Sequence, residues 1–303
     1  MKLGTRGSRL ALWQAEWVRS RLAGLGVTAE IVVIKTRGDA EVDRPLHQLE
    51  GKGFFTKEIE DALLDGRIDA AVHSLKDLPT RLPDGLALAA VPQRADPVDA
   101  LVAREATGAT LATLPPGARL GTSSVRRVAQ AKHLRPDLEV VALRGNVPTR
   151  VKKVKGGATL DAALLAAAGL ERLGLSSEIA ARLDPLEIMP APAQGALGLE
   201  IRSDDRRARA ALAPLEHPPT AVAVHAERSL LAALGGGCQA PVAAYAGERG
   251  AGCGRRLWGR VTAPDGAVQL TASVPLDDRD PVAAGEELAR LLIAQGAEKF
   301  LAR

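Results

Sequence analysis

Residues 1–35 read MKLGTRGSRLALWQAEWVRSRLAGLGVTAEIVVIK, and their reading decides the fold class. Leu3–Arg6 is a short strand candidate. Ser8 places an acceptor hydroxyl before a run with apolar residues at helical spacing, which predicts an N-cap and a helix over Arg9–Ala23. Leu10, Trp13, Trp17 and Leu22 are expected to face a core. Gly24 and Gly26 stop the helix, and Glu30–Lys35 is a β-branched strand run. A Gly- and charge-rich loop follows from Thr36 to Gly53, then a helix over Phe55–Leu64 and a strand over Asp69–His73. This βαβα order predicts an α/β fold with a largely parallel sheet and helices on its faces.

The pattern restarts after a linker at Pro92–Pro97. Arg119–Thr122, Leu138–Leu143 and Leu160–Ala166 read as strands, Ser124–His133 and Val147–Lys155 as helices. Further Pro-rich crossings lie at Pro185–Pro192 and Pro214–Pro219. Beyond them come a helix over Ala221–Leu234, strand candidates near 241–246, 255–262 and 268–274, and a last helix from Pro281 with Asp280 as its cap. Strands between two helices predict a small α+β third domain.

The 303 residues are 46% apolar and 25% charged, ordinary for a globular protein, but only 2% aromatic. That scarcity argues against a nucleic-acid binder that stacks bases on aromatic rings. The longest apolar stretch, Ala162–Leu170, is far short of the roughly 20 residues of a membrane span, and the N-terminus shows no signal-peptide pattern. Two cysteines give no disulfide framework, which points to the cytoplasm. Five scattered histidines and two cysteines show no metal-ligand spacing, so no metal is expected. Asn occurs once, at Asn146; the composition fits a hot-living source or GC-rich codon bias equally.

Charge is uneven. Gly117–Gly157 carries ten Lys/Arg against Asp137 and Glu139, so it is +8 while the remainder is −4. A basic segment in a nearly balanced chain suggests a local anion site. Two turns supply it. Gly121-Thr122-Ser123-Ser124-Val125-Arg126-Arg127 sits where a strand enters a helix, with outward N–H groups, hydroxyls and two guanidiniums suited to carboxylate or phosphate. It lacks a P-loop's spacing; the plain alternative is a well-capped helix with surface arginines. Leu143-Arg144-Gly145-Asn146-Val147-Pro148-Thr149-Arg150 is the next such turn. Arg144 and Arg150 suit bidentate carboxylate contacts, and Asn146 is either a helix cap or a ligand. In open α/β sheets ligands bind beyond the strands' carboxyl ends. His73-Ser74-Leu75-Lys76-Asp77 lies on that edge of the first unit. Asp77 there is a counter-charge or proton shuttle, or simply a surface partner of Lys76. Gly235-Gly236-Gly237-Cys238-Gln239 presents a thiol on a glycine run, a candidate nucleophile or attachment point. Cys253 has no polar neighbourhood and no assigned role.

The chain resembles the porphobilinogen deaminase (hydroxymethylbilane synthase) family over essentially its whole length. The motifs, in order, are Thr5-Arg6-Gly7-Ser8 with Leu10-Ala11-Leu12-Trp13-Gln14-Ala15; Thr36-Arg37-Gly38-Asp39; Gly51-Lys52-Gly53; His73–Pro79; Gly121–Arg127; Arg144-Gly145-Asn146-Val147; Gln194-Gly195-Ala196; and Gly236-Gly237-Cys238-Gln239. The resemblance implies two periplasmic-binding-protein-like α/β domains with a hinged cleft, residues 1–93 with 194–214 and residues 98–189. A small α+β C-terminal domain, 217–303, bears the cysteine.

The resemblance also implies a transferase that condenses four porphobilinogen units head to tail, losing one ammonia each time. They grow on a dipyrromethane cofactor joined to Cys238 by a thioether, and water finally releases hydroxymethylbilane. Asp77, Arg6 and Lys76 would be catalytic. Ser8, Ser74, Lys76, Asp77, Thr122, Ser123, Ser124, Arg126, Arg127, Arg144 and Gly145 would hold the cofactor. Arg6, Arg144, Arg150, Arg172, Gln14, Gln194 and Lys52 would bind substrate. The cluster of arginines answers the acetate and propionate on every pyrrole. The sequence departs from the family at Gln48 and Glu50, beside a loop, Thr36–Gly53, expected to act as a lid. A monomer is expected, with no nucleic-acid or membrane partner. The competing reading is a non-catalytic small-anion-binding protein of the same hinged fold, which leaves Cys238 and Asp77 without a purpose.

Overall fold

The computed structural model describes residues 1–36, 56–104, 108–157, 159–237, 240–248 and 254–301. The expected lid with Lys52, and both cysteines, lie outside the described residues. The chain divides into two compact units, Met1–Ala95 with Gly195–Ala221, and Asp96–Gln194 with Val222–Arg303.

The first unit holds strands β1 (Lys2–Thr5), β2 (Glu30–Val33), β3 (Ala70–Ser74) and β4 (Leu86–Ala90). The segment returning after Gly195 adds β10 (Leu197–Arg202), and the sheet order is β2-β1-β3-β10-β4. β1 runs parallel to β2 and β3, whereas β10 is antiparallel to both its neighbours. The sheet is therefore mixed rather than largely parallel. The cause is β10, which returns from a distant part of the chain and inserts antiparallel between β3 and β4, a strand absent from the sequence pattern.

Helix α1 (Arg9–Gly24) begins as expected, with Ser8 Oγ accepting from the Ala11 N–H at 3.2 Å. Its buried face is Gln14, Ala15, Val18 and Leu22. Trp13, expected inward, is 38% exposed, and Leu10 and Trp17 are half-buried. Trp13 lies two residues from buried Ala15, about 200° around the helix, which puts the indole on the side away from the sheet. On the opposite sheet face lies α2 (Lys57–Leu64), where Ile59, Ala62 and Leu63 pack with Ile68, Ala71 and Leu86.

The second unit contains two sheets. One has the order β7-β6-β8-β5-β9, from β5 (Asp99–Ala103), β6 (Arg119–Gly121), β7 (Glu139–Val141), β8 (Ala162–Ala166) and β9 (Ala181–Arg182). β6 is parallel to β7 and β8; β5 is antiparallel to β8 and β9. Helices α3 (Val125–Leu134), α4 (Val147–Lys155) and α5 (Ala167–Arg172) follow strands in this half. The first unit's returning segment carries α6 (Arg206–Leu212), and α7 (Pro218–Ala233) begins there and continues into the second unit. The second unit's other sheet is an antiparallel meander of β11 (Val242–Glu248), β12 (Arg255–Thr262) and β13 (Gln269–Pro275), covered by α7 and α8 (Pro281–Ala294). Asp280 caps α8 through the Ala283 N–H. A Cβ on Gly285 would stand 2.6 Å from the Ala226 carbonyl, so the two helices touch where only glycine fits.

Candidate active site

In the first unit, the parallel strands β1 and β3 deliver their carboxyl ends to one edge. Arg6, Ser8, Gln14, His73, Ser74 and Asp77 line a single concavity there, with Thr56 on its wall. Gln14 is buried and donates through Nε2 to Ser74 Oγ at 2.8 Å. Ser8 spends its hydroxyl on capping α1. Asp77 is exposed at the end of a 3₁₀ turn, Leu75–Asp77. Buried Leu75 and Leu78 hold that turn, and the Leu75 N–H donates to the Ala196 carbonyl at 3.0 Å. The carboxylate is thus accessible on a fixed backbone. Lys76 is half-buried and does not line this concavity.

Sequence reasoning missed what lies behind the pocket. His73 Nε2 is 2.9 Å from Glu200 Oε2, both side chains buried, and Glu60 from α2 is buried nearby. Burial pushes the Glu60 carboxyl above its ordinary range, and the charge of Glu200 adds to this, while the neighbouring Thr56 and His73 oppose it. The available signal was Glu200 itself, a carboxylate within the otherwise apolar run Leu197–Ile201.

In the second unit, β6, β7 and β8 likewise bring their carboxyl ends together. The two basic turns meet through Ser123, whose Oγ donates to the Leu143 carbonyl at 2.9 Å and accepts from the Leu143 N–H at 3.0 Å. Thr122 Oγ1 accepts from the Ser124 N–H at 3.3 Å. Gly145 has φ +110°, and a Cβ there would meet Thr149 Cγ2 at 2.8 Å. Arg150 Nε donates to the Gly145 carbonyl at 2.8 Å, so that arginine braces the turn as well as charging it. Asn146 is a cap: its Oδ1 accepts from the Thr149 N–H at 2.9 Å and from Thr149 Oγ1 at 2.8 Å. Asn146→Ala should cost about 1 kcal/mol of stability, read from the urea midpoint. An unchanged midpoint would discount the cap.

Arg126 and Arg127 are buried, and their guanidiniums share one internal carboxylate. Arg126 Nη1 lies 2.8 Å from Asp99 Oδ2, and Arg127 Nη2 lies 2.7 Å from Asp99 Oδ1. Gln194 is buried too, donating to Asp99 Oδ1 and to the Pro97 carbonyl, each at 2.7 Å. Burial alone would raise the Asp99 pKa; the two arginines outweigh it and hold the carboxyl well below the usual range. Two cations against one anion leave the group net positive. Arg172 is half-buried at the end of α5, and burial pushes its guanidinium down to about 10, with Glu171 opposing. It remains charged at neutral pH.

Two family models match this chain. "Porphobilinogen deaminase, dipyromethane cofactor binding domain" covers residues 1–210, and "Porphobilinogen deaminase, C-terminal domain" covers residues 221–294. The chain belongs to the porphobilinogen deaminase family. A porphobilinogen deaminase from Moorella thermoacetica is 50% identical over 303 residues, spanning 99% of this chain and 95% of the relative. One from Chromobacterium violaceum is 50% identical over 304 residues, spanning 99% and 96%. A looser likeness is to a solved ABC transporter periplasmic substrate-binding protein from Coxiella burnetii, 15% identical with a TM-score of 0.44 over 73% of this chain and 94% of the other.

The residues fit the cofactor for which the porphobilinogen deaminase domain is named. Its pyrroles carry acetate and propionate groups, and the donors at the Thr122–Arg127 and Arg144–Arg150 turns are cationic or hydroxylic. The Nε atoms of Arg126 and Arg127 are buried without a partner among the described residues. Buried donors of this kind suit a carboxylate acceptor.

Proposed function

We infer that this chain condenses four molecules of porphobilinogen head to tail, with loss of four ammonia, and releases the linear tetrapyrrole hydroxymethylbilane by hydrolysis. Family membership makes it a transferase of porphyrin and heme biosynthesis that uses dipyrromethane. When bound, that group supplies the pyrrole α-carbon to which the first unit is added. The observation that carries the reading of the residues is Asp77, an accessible carboxylate on a pinned turn in one concavity with Arg6.

Loss of ammonia from the aminomethyl group of porphobilinogen leaves an electron-poor azafulvene, cationic when its nitrogen is protonated. Asp77 is the counter-charge for that cation and takes part in moving the pyrrole protons. Arg6 engages a substrate carboxylate at the rim, and Gln14 fixes Ser74 beside it. Lys76, next to Asp77 in the chain but outside the concavity, adds positive charge beside the site. In the second unit, Arg126, Arg127, Thr122, Ser123, Ser124 and Arg144 with Gly145 take the cofactor's carboxylates, and Arg144, Arg150 and Arg172 those of the incoming units. Lys52 and Gln194 complete the substrate contacts, the latter through its hold on the arginine pair. We place the thioether anchor at Cys238.

The working form is proposed to be a cytoplasmic monomer of three domains, without nucleic-acid or membrane partners. Among the described residues no helix is long and apolar enough to cross a membrane, and no group of three metal-ligating side chains occurs.

Intact mass of the purified chain beside Cys238→Ser tests the anchor. The wild type should exceed its sequence mass by two porphobilinogens less two ammonias, and the variant should not. An adduct of that mass on Cys238→Ser would move the anchor elsewhere.

A further inference from the structure

Arg260 lies on β12 with only 7% of its surface exposed, and among the described residues no carboxylate pairs with it. Its Nη1 donates to Gln130 Oε1 and to the Glu187 carbonyl, both at 2.9 Å. Its Nη2 donates to the Leu186 carbonyl at 2.7 Å, and its Nε to Thr271 Oγ1 at 3.2 Å. Desolvation pushes the guanidinium down to about 10.

A buried cation without a counter-ion is a poor way to gain stability. An apolar residue of similar volume commonly serves as well or better. What an arginine adds is a planar fork that meets several acceptors in one orientation. The acceptors here belong to the crossing 186–194 and to α3. Gln130 on α3 grips the same crossing, accepting from the Met189 N–H at 2.8 Å and donating to its carbonyl at 3.0 Å. Arg126 Nη1 reaches that carbonyl as well, at 2.5 Å. From the meander side, the Ala244 N–H donates to the Pro190 carbonyl at 3.1 Å. Glu227 accepts from the N–H groups of Ala193 and Ala246 at 2.7 and 3.0 Å. Every contact is buried or partly so.

The crossing thus connects two elements with separate tasks. β11, paired to β12, starts at Val242, four residues after Cys238. The first turn of α3 holds Arg126 and Arg127. We propose that Arg260 is a positioning residue for elongation: it fixes the sheet that follows Cys238 against the helix that bears the carboxylate-binding arginines. The proposal rests on the assignment of Cys238 as anchor and of this turn as carboxylate site. Shifting one relative to the other would displace the growing chain from the reacting groups, and a displacement of about 1 Å costs on the order of 100-fold in rate.

The test uses the full chain produced without cofactor and then given porphobilinogen, with Arg260→Met, Arg260→Lys and Gln130→Met beside wild type. Adduct acquisition is followed by intact mass, turnover by steady-state kinetics, and the contact by amide exchange. Arg260→Met should load and elongate about 10–100-fold more slowly, with kcat falling and KM within about twofold. Exchange should quicken in 186–194 and 242–248 while β1 stays as in wild type. Arg260→Lys should recover little, because an ammonium cannot span the same acceptors. Gln130→Met, approaching the contact from α3, should show the same split and serves should Arg260→Met not fold. Variants that lose only thermal stability, with loading and kcat as in wild type, overturn the proposal. A wild type that never takes up the adduct overturns the anchor assignment and the proposal with it.

Discussion

Asp77→Asn should lower the rate of elongation by about 10²–10⁴, the range of a positioned acid–base group, while leaving the fold intact. The substitution keeps size and polarity and removes the charge. Asp77 is exposed, and its turn is held by Leu75, Leu78 and the hydrogen bond to the Ala196 carbonyl rather than by its own side chain. Surface changes away from structural contacts stay within about 0.5 kcal/mol, so the urea midpoint should barely move. What changes is the field at the pocket: Asp77 is the only carboxylate among its described lining residues, so on the proposed roles Arg6 would still hold a substrate carboxylate while the cation formed when ammonia leaves would lose its counter-charge. Single-turnover mass spectrometry of the enzyme with porphobilinogen separates the effects. Substrate should still bind, and species with added pyrroles should appear slowly or not at all. Asp77→Glu should fall between, keeping the charge but moving it. Wild-type elongation by Asp77→Asn would remove Asp77 from the chemistry.

The legible parts of this chain are those whose causes are local. Ser8, Asn146 and Asp280 each lie three residues before the N–H they cap, so a short window holds both partners. Helix Val147–Lys155 and strand Arg255–Thr262 have the bounds their patterns predict. Failures begin where the partner is distant. β10 pairs with β3 across more than a hundred residues, and nothing in Leu197–Arg202 states its direction. The outward turn of Trp13 depends on the sheet under α1, which the helix's own periodicity does not encode. The site divides the same way. Asp77 and the basic turns stood out as charges at strand ends. Asp99 did not, although an aspartate opening the apolar run Ala100–Ala103 marks an inward carboxylate in need of a partner. In the sequence its partners, Arg126 and Arg127, read only as donors toward a ligand or solvent.

Asp99→Asn should destabilise the second unit by about 3–5 kcal/mol, as expected when one member of a buried ionic group is removed. Asp99 is fully buried, and the side chains of Arg126, Arg127 and Gln194 all converge on it. An asparagine still accepts through one atom but turns an amide NH₂ toward a guanidinium, donor against donor. Two buried cations then share no anion. The pH dependence follows from the depressed carboxyl. In the unfolded chain Asp99 titrates near about 3.9, and in the folded chain lower. Its contribution is therefore fully present above the unfolded value and is lost as pH falls through the folded one. The gap between wild type and variant should be constant from pH 5 to 8 and close only in strong acid. Urea unfolding across that range measures it, and a gap under about 1 kcal/mol at neutral pH would mean the arginines do not depend on Asp99. A second arm links the stability of this cluster to its function. Without Asp99, the guanidiniums lack their internal counter-charge, so an added small dicarboxylate that binds only the folded chain should raise the variant's midpoint more than the wild type's. Equal shifts would show that the pair does not face an external carboxylate, and the cofactor's acid groups would then have to be met by Arg144 and its turn.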